Sequence, residues 1–278
     1  NFSHTGGAVN YSESTGALSV TGSGNQIRTS QADMGQTSTL TFASLSNLGS
    51  LQFYGAGLGS DARNRVYITG QSAGAISGAT HFDPLTGFSN PAGYSLLNGV
   101  IIKLSDVDVD VLGGQIPDGS AAVSIIQAGI SGNITLGSTI TTIDSLNQTS
   151  SQLGTIAMSG QTLRTDLVLI GNTNAPLTIG TTPGEGTLTT NTPGGNLVLN
   201  NAFAAPLLVV NSVIANYGSG SSLLKTGAGT VQITAGATYT GDTVIGAGTV
   251  TLTGAGALPD SSAVDLSDPS SVLHLSGI

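Results

Sequence analysis

The stretch from Leu224 to Gly254, LKTGAGTVQITAGATYTGDTVIGAGTVTLTG, alternates threonine with valine, isoleucine or leucine and meets glycine at every bend. A period of two places Val231, Ile233, Val250 and Leu252 on one face and Thr230, Gln232, Thr234, Thr249, Thr251 and Thr253 on the other. Val264 and Leu266 are expected to continue the apolar face. Strands this short and numerous cannot fill an ordinary open sheet. With three strands in each coil of roughly 20 to 25 residues, successive coils stack in parallel and their inward residues merge into one column. The fold class expected is all-β, a parallel β-helix. A chain of Ig-like sandwich modules is the competing architecture; the lack of Trp and the short, even strand spacing count against it.

Composition narrows the alternatives. The 278 residues include 41 Gly and no Cys or Trp, and only 8% are charged. No run of about 18 consecutive apolar residues exists, so no segment is expected to insert in a membrane as a helix. Disorder calls for low hydrophobicity and high charge, whereas 38% of this chain is hydrophobic, with abundant Val, Ile and Thr. The polarity that Lys and Glu usually supply comes here from Thr, Ser, Asn and Gln, which line up well along stacked strands. The net charge of −9 and six scattered cations, Arg28, Arg63, Arg65, Lys103, Arg164 and Lys225, argue against nucleic acid as a partner. Without Cys there is neither a disulfide framework nor a thiolate metal site. The chain starts at Asn1 with no Met and no signal-like segment, and reads as an interior or processed piece of something longer.

Three zones follow along the chain. Residues 1–71 hold strand candidates at Ala8–Tyr11, Ala17–Thr21, Ser38–Ala43, Ser50–Tyr54 and Arg65–Thr69, about ten residues apart, and read as solenoid coils. Residues 72–127 break the rhythm: Thr80–Tyr94 gathers His81, Phe82, Pro84, Phe88, Pro91 and Tyr94, which reads as a loop or small insertion projecting from the coils. Residues 128–278 resume the coils, with strands at Asn133–Leu136, Thr155–Met158, Leu167–Ile170, Leu177–Ile179, Gly186–Thr189, Asn196–Leu199, Leu207–Val210, the clear repeat, Ala263–Leu266 and Val272–Leu275.

The repeat at 224–254 resembles the autotransporter-associated β-strand repeat of bacterial exported proteins. The residues that carry the likeness are Leu224, Lys225, Thr226, Gly227, Gly229, Thr230, Tyr239, Thr240, Gly241, Thr243, Gly248 and Thr249. The resemblance implies a passenger segment of a large surface protein, exported to the outer surface of a Gram-negative-type bacterium. It implies neither a ligand nor a catalytic residue. No C-terminal translocator barrel is seen before Ile278, which leaves the export route open.

Candidate chemistry is sparse. Asp106, Asp108 and Asp110 in SDVDVDVLGG alternate with valines, so their carboxylates share one strand face, where a Ca²⁺ ion would relieve their repulsion. The simpler reading is an outward strand in solvent, and Val111 and Pro117 stand where an EF-hand loop needs its Gly and Glu. His81, Phe82, Phe88 and Tyr94 form a possible ligand loop, with His81 more simply a surface ring. His4, His81 and His274 are too few to single out a Ser/His/Asp arrangement among so many Ser and Asp. Arg63 and Arg65 near Asp61 are the nearest approach to a lyase-like cluster.

The expected function is therefore a non-enzymatic structural segment, a stalk, fibre or surface-layer element that associates with copies of itself or with adjacent repeats. An adhesin binding glycans or cell surfaces through the 80–94 insertion is the alternative. A β-helical polysaccharide lyase or hydrolase is held in reserve on fold analogy alone. No cofactor is expected, beyond the possible Ca²⁺.

Overall fold

A computed structural model describes the chain except residues 1–9, 22–23, 32–34, 48–49, 61–62, 72–73, 85–87, 96–97, 103–106, 111–112, 127–131, 171–174, 206 and 278. The described residues form short strands joined by turns, with no helix among them. All strand pairs but two are parallel, and the molecule is a β-solenoid. It divides into two compact units, 1–104 and 105–278.

The second unit is the more regular. One face stacks eight parallel strands from Gln115–Ile116 through Leu177–Ile179 and Thr230–Ile233 to Val272–Ser276. Here Ile134, Ile156, Ile179, Val210, Ile233, Leu252 and Leu275 stand in register, one residue per coil. A parallel sheet covered on its inner side needs such an apolar column, because each strand alone buries too little surface. A second face runs from Val107–Asp110 to Val264–Leu266, and a shorter third face includes Thr162–Arg164, Thr187–Thr189 and Val213–Ile214. The strand Ile140–Gln148 serves both, pairing with Thr162–Arg164 through its first residues and with Leu167–Ile170 through its last. The inward residues of all three faces merge into one core that includes Leu163, Leu188, Leu199 and Ile245.

The expected inward positions of the repeat divide in two. Val231, Ile233, Val250 and Leu252 are buried, whereas Val264 and Leu266 are exposed. Leu266 is in register with the buried Ile245, and Leu275 with the buried Leu252, so both stand in line with core columns. They are 49% and 61% exposed because no described strand lies over them.

The first unit repeats a three-strand coil. Tyr11–Thr15, Ser38–Phe42 and Asn64–Ile68 form one face, and Asn25–Arg28, Leu51–Tyr54 and Gly74–Asp83 another. Leu18–Val20 and Leu45–Asn47 pair between them. A separate core gathers Leu40, Phe53, Val66, Ile68 and Val100. The stretch expected as a loop or small insertion is built as a strand pair. Gly74–Asp83 continues the parallel stack and then turns into Phe88–Ser95, which pairs antiparallel with it and with Gly99–Ile102. The rhythm does break here, through a change of strand direction.

Candidate functional site

The candidate ligand residues at 81–94 do not converge. His81 and Phe82 are consecutive on an extended strand and so take opposite faces. His81 is in register with Phe53, itself in register with Ile27, and is 2% exposed. Its Nε2 lies 3.0 Å from the Leu58 carbonyl, so Nε2 carries the hydrogen and donates it, and the buried Nδ1 has no hydrogen-bond partner. Burial lowers the pKa of the ring, against the raising effects of the Leu58 contact and of Asp83. The expectation of a surface ring is thus corrected: alternation along the strand turns His81 inward. Phe88 pairs with Asp83 near the hairpin tip, and Tyr94 pairs with Gly74 at the opposite end, on the order of 20 Å along the strand.

Phe82 belongs to a different feature. Arg28, Tyr54 and Phe82 stand in register on the outer side of successive strands. The Arg28 guanidinium lies 4.0 Å from the Tyr54 ring centre, and the Tyr54 and Phe82 rings stack at 5.2 Å with 14° between their planes. Beside this column Gln26 donates to Gln52 across 2.5 Å. Arg28 and Phe82 cover the two faces of Tyr54, so the column offers ring edges more than open faces to a sugar. Its evident work is to bind coil to coil.

Of the acidic triplet, Asp106 lies outside the described residues. Asp108 and Asp110 are on the strand Val107–Asp110, opposite Ser124 and Ile126, while Val109 between them is buried in the core. Among the described residues no group of three His, Cys, Asp or Glu could hold a metal ion. Asp61, expected beside Arg63 and Arg65, is likewise outside the described residues.

Several polar side chains of the second unit fasten neighbouring turns. Asp166 accepts hydrogen bonds from the amides of Asn191 and Thr192 and from the hydroxyls of Thr190 and Thr192, tying its corner to that of the next coil. Glu185 accepts from the amides of Ser159, Thr181 and Thr182 and from the Thr181 hydroxyl. Desolvation opposes this, but the hydrogen bonds hold its carboxyl below the usual range. The Tyr239 hydroxyl, buried, lies 2.5 Å from that of Thr243, which in turn lies 2.7 Å from the Ser262 hydroxyl.

Lys225 is the residue that sequence reasoning missed. It was one scattered cation among six, yet it is fully buried. Its place in the sheet is an inward one: Leu146, Val168, Leu199, Lys225 and Ile245 form a single column, and the other four belong to the core. Its ammonium donates to the carbonyls of Thr226 at 2.8 Å, Gly227 at 2.7 Å and Ala247 at 2.9 Å. Those carbonyls come from two successive turns built on glycine. Gly227 and Gly248 have φ of 76° and 70°, and a Cβ would stand 2.2 Å from the Asn201 carbonyl oxygen in the first and 2.5 Å from that of Gly229 in the second. Only glycine lets the turns approach closely enough for one ammonium to reach both.

The chain matches no protein-family model, no curated protein and no solved structure. The arrangement of its own side chains therefore carries the functional argument.

Proposed function

We propose that this chain is a non-enzymatic structural segment of a bacterial extracellular or cell-surface protein, a stalk, fibre or layer element built from repeats that resemble those of autotransporter passengers. The supporting observation is that Lys225, Asp166 and Glu185 are occupied in fastening one turn to the next. A catalytic or binding group must leave donors or acceptors free for a substrate. In this reading the partners are adjacent repeats or copies of the same chain, meeting at the rim where Leu266 and Leu275 extend the core columns. An unpaired strand edge with inward apolar residues favours a further strand above it.

Electron microscopy and sedimentation of the purified chain test this. Elongated particles or end-to-end assemblies are expected, returning to single particles in the Leu266→Lys, Leu275→Lys double variant. A compact monomer that cleaves or tightly binds an oligosaccharide would overturn the reading.

A further inference from the structure

We propose that the outermost coil of the second unit, residues 264–276, is a homodimer interface: it takes the same coil of a second copy about a two-fold axis that passes through His274. This rests on the reading of the chain as a self-associating structural segment, and it names the partner. Of the seven large hydrophobic residues that stand exposed among the described residues, Val264, Leu266, Val272 and Leu275 lie on this one coil. Leu273, beside them, is only partly buried against the core. The strand Val272–Ser276 is paired along one edge, with Thr249–Thr253. The Val272 amide donates across that edge to the Gly248 carbonyl, and His274 and Ser276 follow its direction, so the N–H and C=O groups of Leu273 and Leu275 point to the free edge.

The pattern of that strand fits its own copy. In an antiparallel pair centred on His274, Leu273 stands opposite Leu275 of the second copy and Val272 opposite its Ser276, so every residue of the strand is paired. The leucines of both copies stay on the core side, whereas a slip by one residue would set leucine against histidine. Leu273 and Leu275 then form the hydrogen-bonded pairs, which satisfies the free edge, and His274 meets its own copy as a non-hydrogen-bonded pair. No Asp, Glu, Lys or Arg lies between Val272 and Ser276 to repel its like. The two-fold exchanges the flanking faces, so Leu266 of each copy approaches the turn of the other in which Leu258 packs on the core. The outermost strand of the first unit, Tyr11–Thr15, offers no such match. A head-to-tail contact would bring Glu13, on the core line of Leu40, against these leucines and bury a carboxylate without a partner. An isologous contact closes on itself, so assembly through this rim stops at two chains.

Sedimentation and thiol cross-linking of the full chain test this. The parent should sediment at twice the chain mass, dissociate on dilution and grow no further, and the Leu266→Lys, Leu275→Lys double variant should be monomeric. The chain contains no Cys, so His274→Cys introduces a single thiol. Across a non-hydrogen-bonded pair the two Cα atoms lie about 4.5 Å apart, within disulfide reach. Mild oxidation should convert most of this variant to covalent dimer. Thr251→Cys is the control. Thr251 is in register with His274 one strand further from the axis, which sets the two thiols three strand spacings apart, about 14 Å, and this variant should stay uncrosslinked. Chains longer than two, or cross-linking of Thr251→Cys as readily as of His274→Cys, would overturn the two-fold and leave the structural reading standing. A parent that is monomeric at every concentration would overturn the two-fold as well. The structural reading fails separately, on cleavage or tight binding of an oligosaccharide.

Discussion

At the scale of the residue, what an inward position holds decides its cost. Ile233 is fully buried within an apolar column, and the position offers a carboxylate no partner. Ile233→Asp should lower stability by several kcal/mol, on the order of 3 to 5, measured by chemical denaturation. An unchanged denaturation midpoint would mean that the face is wet. His81 is an inward residue that titrates. Above 6.5 its ring is neutral in both folded and unfolded chains, and its contribution to stability is complete. As pH falls below 6.5 and on through the lowered folded value, the unfolded chain takes up the proton first and stability declines. The expected loss is at most about 1.4 kcal/mol per pH unit, and it should vanish in His81→Leu. Denaturation midpoints at pH 7.5 and 5 check this. Neither His81 nor Lys225 could be placed from the sequence. A strand pattern assigns polar residues outward, and the carbonyls that accept from Lys225 include Ala247, in a later turn that no local pattern connects to it.

At the scale of the element, legibility followed the regularity of the alternation. Thr230–Ile233 and Thr249–Thr253 alternate cleanly and were expected as strands. Ile140–Gln148 was not, because burial alternates only through Thr141, Ile143 and Ser145 and then runs unbroken through Leu146, Asn147 and Gln148, so the period is lost where the strand passes from pairing on one face to pairing on the next. Thr162–Arg164 and Val213–Ile214 are too short to show any period. The hairpin at 74–95 was concealed by its proline, since Pro91 cannot donate to a ladder. It is accommodated because the described pairing of Phe88–Ser95 with Gly99–Ile102 stops at Ala92. The outer column Arg28, Tyr54 and Phe82 is an element-level bond between coils. A double-mutant cycle of Arg28→Ala and Tyr54→Ala should return a coupling of about 0.5 to 1 kcal/mol. A coupling near zero would mean that the pair contributes no more than its separate packing. In the first unit Glu13 is in register with the buried Leu40, a charge on a core line that discourages a further strand, whereas in the second unit Leu266 and Leu275 on their core lines invite one.

At the scale of the whole molecule, the all-β solenoid class was readable because composition and period agreed, with little charge, abundant Gly and Thr, and apolar residues spaced for one buried face. The division into two compact units, each with its own core, was not, since strand patterns on either side of residue 104 look alike. The core columns keep their register although coils differ in length: Ile179 meets Val210 across a much longer stretch of chain than separates Ile233 from Leu252. The longer coil carries the third-face strand Thr187–Thr189 and a corner turn at 181–185, while the columns stay in register. The scaffold therefore separates what must stay fixed from what is free to vary. Insertions at its corners can carry grafted epitopes or new surface chemistry while the ladder beneath keeps its pairing.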